Sequence, residues 1–177
     1  ALAAQGLEPR GLEYILITHH HYDHTGNLAE LKRLSGARVA VGQGDAAVVS
    51  GRREPPGPGS ISLSGKLIGM LPASWLQGYQ KFEPCTPDMV LRDGDKIAEL
   101  GLEVLELPGH TEGGVAFHHR DGRWAFVGDM VSNLMGRPGP PFLSFSYDKE
   151  AILTSLRRLA ELDLDYAYPG HGAVLGP

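Results

Sequence analysis

Cysteine is almost missing from this chain: Cys85 is the only one in 177 residues. That excludes an intrachain disulfide framework and a thiolate-rich metal cluster, and it fits a reducing compartment, the cytoplasm. Basic residues are also in deficit, with 16 Lys and Arg against 21 Asp and Glu and a formal net charge of −5. Nucleic acid is therefore not an expected partner, because phosphate binding needs clustered cations. No apolar run of membrane-spanning length and no signal-peptide pattern is visible, so no membrane partner is expected. What the chain has in quantity is Gly (24) and Pro (13), within 42% hydrophobic content. That balance suits one loop-rich domain, 1–177, with one substantial core.

Against this background the histidines are unevenly placed. Thr18-His19-His20-His21-Tyr22-Asp23-His24, Pro108-Gly109-His110-Thr111, Gly128-Asp129 and Pro169-Gly170-His171-Gly172 each follow a strand-like run. A lone His-x-His is weak, but four such segments supply five imidazoles and two carboxylates, enough for two cations of the zinc type. In extended backbone His19 and His21 point the same way and His20 the other. His110 completes one triad. Asp23, His24 and His171 form a second set, and Asp129 is the natural bridge, since a carboxylate can give one oxygen to each ion. His118 and His119 match no motif and read as surface or core residues, and Asp45 and Cys85 read as structural.

The remaining chain alternates between elements. Residues 2–10 read as a short helix, Gly11–Thr18 as a buried strand, Asn27–Leu34 as a helix stopped by Gly36, and Ala37–Val41 as a strand. Asp93-Gly94 and Asp121-Gly122 are hairpin signals, the second joining Val115–Arg120 to Trp124–Gly128. Asp148 is an N-cap for a helix from Lys149 to about Leu162, with Ile152, Leu153, Leu156 and Leu159 as its apolar stripe. Leu164–Tyr168 is a last strand. Residues 52–90 break the rhythm and read as a lid insertion using Met70, Trp75, Leu76, Tyr79 and Phe82, or as a loop packed on the domain. Met135, Phe142, Phe145 and Tyr147 either line a pocket mouth or simply pack.

The four ligand segments, taken in order, resemble the metallo-β-lactamase superfamily over most of the chain. The resemblance implies an α/β fold, an αββα sandwich with a metal site at one edge between the sheets. It matches His19, His21 and His110 to one metal, Asp23, His24 and His171 to the other, and Asp129 to the bridge. β-Lactamases of that superfamily usually carry Cys or Ser where Asp129 stands, and flavin-partnered diiron members carry Glu where His21 stands, so neither activity is expected. The run THHHYDHTG is similar to glyoxalase II, while the Pro-Gly-His-Gly ending is more like general hydrolases and lactonases. Superfamily members normally have several strands before the first motif, so the domain is expected to lack its first strands, as an N-terminally trimmed piece would.

The expected activity is hydrolysis of a small ester, thioester or lactone by a metal-bridging hydroxide, with Asp23 and Asp129 orienting the nucleophile or moving its proton. The expected cofactors are two divalent ions, foremost zinc, with iron or manganese also suited to His and Asp ligands. The expected partner is a small-molecule substrate. Two other readings stay open: a mononuclear iron oxygenase similar to persulfide dioxygenases, and a catalytically silent binding domain.

Overall fold

The computed structural model describes residues 5–59, 61–72 and 82–177. One sheet consists of three parallel strands in sequential order, β1 (Tyr14–Ile17), β2 (Arg38–Gly42) and β3 (Met89–Leu91). Their connections run through α1 (Tyr22–Thr25), α2 (Leu28–Ser35), α3 (Gln43–Val49) and α4 (Leu63–Gly69). The second sheet has five strands: β4 (Lys96–Ile97), β5 (Leu102–Glu106), β6 (Val115–His119), β7 (Trp124–Gly128) and β10 (Tyr166–Pro169). Strands β4 to β7 form an antiparallel meander, and β10 joins β7 in parallel. A small hairpin, β8 (Ser132–Leu134) with β9 (Arg137–Gly139), follows β7. It leads to the last helix, α5 (Lys149–Ala160).

The layers follow from side-chain alternation along the strands. In β2, Val39 and Val41 pack with Leu28, Ala29, Ala46 and Val49 of the helices. Ala40 between them faces the second sheet and meets Val104, Val115 and Phe117. In the second sheet Leu105, Ala116, Ala125 and Val127 turn outward onto Ile152 and Leu159 of α5. Both sheets are thus buried on two faces, which gives the expected αββα order: helices, sheet, sheet, helix.

Local signals explain most element ends. Gly36 closes α2 in the left-handed region, φ 73°. The Asp148 carboxylate accepts from the Ala151 N–H at 3.0 Å and caps α5. Three expectations need correction. The helix read over 2–10 gives way, among its described residues, to a 3₁₀ turn at Pro9–Gly11, because Gly6 at φ 68° interrupts it. Asp93-Gly94 does not close a hairpin: it carries the chain from β3 in one sheet to β4 in the other. Leu153 lies off the buried stripe of α5, at 38% exposure, and Ser155 takes a place in it. Of the lid residues, Trp75, Leu76 and Tyr79 lie outside the described residues, while Met70 is 80% exposed.

The side of α5 that rests on the sheet carries the predicted cost. Ile152→Ala should lower unfolding free energy by about 2–5 kcal/mol, whereas Asp148→Ala should cost about 1 kcal/mol. Urea denaturation of the two variants measures both, and an Ile152 effect no larger than the cap effect would contradict this packing.

Candidate metal centre

All the ligand-type residues sit beyond the carboxyl ends of strands. His19 and His21 follow β1, His110 follows β5, Asp129 follows β7 and His171 follows β10. Candidate ligand atoms of His19, His21 and His110 lie within 4.8 Å of one another, and so do those of Asp23, His24, Asp129 and His171. The structure therefore brings all seven of these residues together, with Asp129, expected as the bridge, falling in the second group. His118 and His119 lie on β6 and belong to neither group.

Asp129 is the centre. Its carboxylate is 7% exposed, with Oδ1 3.3 Å from His24 Nε2. The other oxygen is 3.3 Å from His171 Nε2, 3.6 Å from His110 Nε2 and 4.0 Å from His19 Nε2. Asp23 is more open and holds His171 Nε2 at 2.9 Å from Oδ2. Two glycines make this approach possible. Gly128 has φ 53°, and a Cβ there would stand 2.8 Å from Thr18 Cβ. A Cβ on Gly170 would stand 2.2 Å from Asp129 Oδ1 and 2.7 Å from His24 Cε1.

The donor set fits a divalent cation. His19 Nε2, His24 Nε2, His110 Nε2 and Asp129 Oδ1 are buried without a hydrogen-bond partner, and such groups cost free energy unless something accepts their lone pairs. The tautomer of His110 is legible. Ser146 Oγ gives its one proton to Phe142 O at 2.9 Å, so His110 Nδ1 at 2.9 Å must donate to it. Its Nε2 lone pair is then left facing Asp129.

Burial also keeps the imidazoles in their ligand form. Desolvation, then the neighbouring His110, pushes His21 down to about 3. Desolvation takes His110 down to about 4, and it holds His19 well below the usual value with help from His24 and His110. For His24 desolvation acts downward too, but the Asp129 carboxylate 3.3 Å away outweighs it and the net shift is upward. Burial alone would raise Asp129, yet the contact with His24 brings it below the ordinary carboxylate value.

Asp45 is the residue whose role the sequence did not show. Fully buried on α3, its Oδ2 accepts from the His20 backbone N–H at 2.9 Å and the Thr111 hydroxyl at 2.8 Å. Its Oδ1 accepts from the Gly113 N–H at 2.8 Å and lies 3.1 Å from His20 Nδ1. This carboxylate staples the first histidine motif to the loop that carries His110. It also explains why His20 points away from the other histidines, with its ring stacked 6.5 Å from Tyr147. The only available signal was a lone charge inside the apolar run around Ala46–Val49.

A cleft of about 790 Å³ opens onto the cluster, with His21, Asp23, His110, Asp129 and His171 at its floor. Phe82, Phe142, Phe145 and Tyr147 line it, so these aromatics are pocket walls. Met135, 99% exposed, does not line it.

Fold and site together define a four-layer α/β sandwich with paired histidine–aspartate clusters at the strand ends. The model of the metallo-β-lactamase superfamily matches residues 1–171, and the chain belongs to that superfamily, whose members hold divalent metal ions. It is 34% identical over 163 residues to a hydroxyacylglutathione hydrolase of Cereibacter sphaeroides, covering 89% of this chain and 48% of that protein. A hydroxyacylglutathione hydrolase of Fuscovulum blasticum is 35% identical over 134 residues, 74% of this chain and 37% of that one. The chain thus spans about half the length, or less, of these curated relatives. Among solved structures, a di-iron-bound form of TTHA1623 superposes with TM-score 0.69 at 29% identity, covering 99% of this chain and 76% of that one. A metallo-β-lactamase family protein from Thermus thermophilus, TTHA1429, gives TM-score 0.69 at 26% identity, covering 99% and 60%. Among the described residues no helix is long and apolar enough to cross a membrane.

The geometry generates a stability prediction and a pH prediction. Asp45→Ala should destabilise the fold by about 3–5 kcal/mol, because it leaves buried donors and a histidine without their acceptor. Chemical denaturation reads this directly, and a change below about 1 kcal/mol would remove Asp45 from its place as a staple. The second concerns pH in the metal-free protein. His19, His21 and His110 have folded values below the ordinary 6.5, so the unfolded chain takes up their protons first. Their contribution is complete above about 6.5 and is lost as pH falls from there, toward about 4 for His110 and about 3 for His21. His24 has the opposite sign, since its folded value is raised and its contribution fades as pH rises through that value. Among these imidazoles three are lowered and one raised, which predicts a melting temperature that falls on acidification, and His21→Gln should make that fall shallower.

Proposed function

We propose that the chain is a metal-dependent hydrolase acting on the carbonyl centre of a small ester, thioester or lactone. One observation carries this reading: buried, unpaired lone pairs of His19, His24, His110 and Asp129 converge at the floor of an open cleft. The curated relatives support the same class, since a hydroxyacylglutathione hydrolase cleaves a thioester.

In this reading His19, His21 and His110 would hold one cation and Asp23, His24 and His171 the other, with Asp129 available to both. Zinc is the first choice for such a donor set, with iron and manganese compatible. Bound there, the cations supply Lewis acidity toward the substrate oxygen and make water acidic enough to act as a nucleophile near neutral pH. The protein does the rest. Asp129, ionised and buried, keeps the imidazoles turned inward. Asp23, half-exposed and next to His171, is placed to take the water's proton and pass it to solvent. Ser146 and Thr18 fix the rings of His110 and His19 from behind. We assign the protein to the cytoplasm, on its single buried cysteine.

A mononuclear iron oxygenase would need only His19, His21, His110 and Asp129. The di-iron-bound relative makes iron the metal to test beside zinc. Oxygen uptake by the iron-loaded protein would favour that alternative.

Asp129→Ala should lower bound metal from about two ions per chain to about one or fewer, and lower ester turnover by more than about 100-fold. Elemental mass spectrometry on both proteins, paired with activity, checks this. Full metal content and full activity in the variant would remove Asp129 from the bridging position.

A further inference from the structure

The cleft is chemically lopsided. Every ionisable side chain that lines it among the described residues belongs to the histidine–aspartate floor, to the His20 beside it, or is a tyrosine. The walls above are Pro55, Pro58, Ile68, Leu71, Phe142 and Phe145, drawn from the proline-rich loop, from α4 and the residues after it, and from the 3₁₀ turn at Leu143–Phe145 with the residue before it. No Lys or Arg side chain is among the described lining residues. Among the described lining residues the carboxylates are those of Asp23 and Asp129, in a chain of net charge −5.

Two consequences follow from elementary chemistry. A glutathione thioester carries two carboxylates on its tripeptide. Placing them against these apolar walls costs desolvation that none of the described wall residues offsets. An alkyl chain in the same space gains about 0.8 kcal/mol for each methylene removed from water, close to four-fold in affinity. The size also fits, because small-molecule sites of about 300–1,000 Å³ bury most of a ligand of drug-like size.

We propose that this cleft selects uncharged substrates with a medium-length, unbranched alkyl group: a fatty-acyl ester, a neutral fatty-acyl thioester or an alkyl-substituted lactone. Glutathione conjugates are poor substrates. The selection rests on the hydrolase reading for its chemistry, but the apolar walls are independent of it. The carbonyl lies at the floor beside Asp129, and the alkyl group runs between Ile68 and Phe142 toward the mouth.

The test has two arms, both on the zinc-loaded full chain. In the first, kcat/KM is measured for p-nitrophenyl esters from acetate to decanoate and for a glutathione thioester. The expected result is a rise of about three-fold per added methylene over the shorter chains, with the glutathione thioester well below the longer esters. Phe142→Asp and Leu71→Asp, both at exposed wall positions, should flatten that rise. In the second arm, calorimetry measures binding of neutral alkyl amides of the same chain lengths, which are not turned over. Tighter binding with length, lost in both variants, upholds the cleft assignment even if no ester is cleaved, and in that case the hydrolase reading alone fails. Hydrolysis that is flat with chain length, or a preference for the glutathione thioester, overturns the cleft assignment and leaves the hydrolase reading standing. Length-independent amide binding overturns it as well.

Discussion

The carboxylate of Asp45 is the contact on which the centre depends. It has no exposure, and it gathers the His20 amide, the His20 ring, the Thr111 hydroxyl and the Gly113 amide around two oxygens. A buried carboxylate with fewer partners would be strongly unfavourable, and charge-assisted hydrogen bonds of this kind are each about 1.5–3 kcal/mol. Burial alone would raise its pKa, but its donors, with His20 foremost, hold it below the ordinary value, so it stays ionised. Because the partners come from two loops that leave different sheets, the contact fixes one sheet's edge against the other. His19 and His21 then meet His110 with no direct bond among the three.

Around that frame the centre is assembled from lone pairs that oppose one another. Five imidazoles within a few ångströms cannot all be protonated, and desolvation keeps the inner three neutral. Asp129 supplies the negative charge that makes the set attractive to a cation and offsets its own burial through His24. Gly128 and Gly170 are part of the same design, since side chains there would occupy the space that Thr18, His24 and Asp129 use. The described walls of the cleft are apolar, in contrast to its histidine–aspartate floor.

Much of this was legible in the sequence for a definite reason. Metal-ligand residues leave a strand end in short motifs, so spacing and residue type carry the signal, and His19, His21, Asp23, His24, His110, Asp129 and His171 all emerged in two groups that the fold brings together. Strands buried on both faces, such as Arg38–Gly42 and Val115–His119, and the capped helix at Lys149–Ala160 were also clear, because their cues are local. Asp45 was not clear, because its partners lie 25, 66 and 68 residues away and no spacing rule links them. Asp93-Gly94 misled for a related reason: the turn is local, but the choice of sheet for the next strand is tertiary. Phe142 and Phe145 could be read as packing or as pocket wall, and only the placement of their 3₁₀ turn beside the cleft decides it.

On the proposed function, Asp129 stands between two cations held by histidines from different strands. Anomalous diffraction from crystals of the zinc-loaded protein, collected on both sides of the zinc edge, tests it most directly. Two peaks should flank the Asp129 carboxylate, about 3.5–4 Å apart, one beside His19, His21 and His110 and one beside Asp23, His24 and His171. A single peak away from Asp129, or zinc bound only at surface carboxylates, would contradict it.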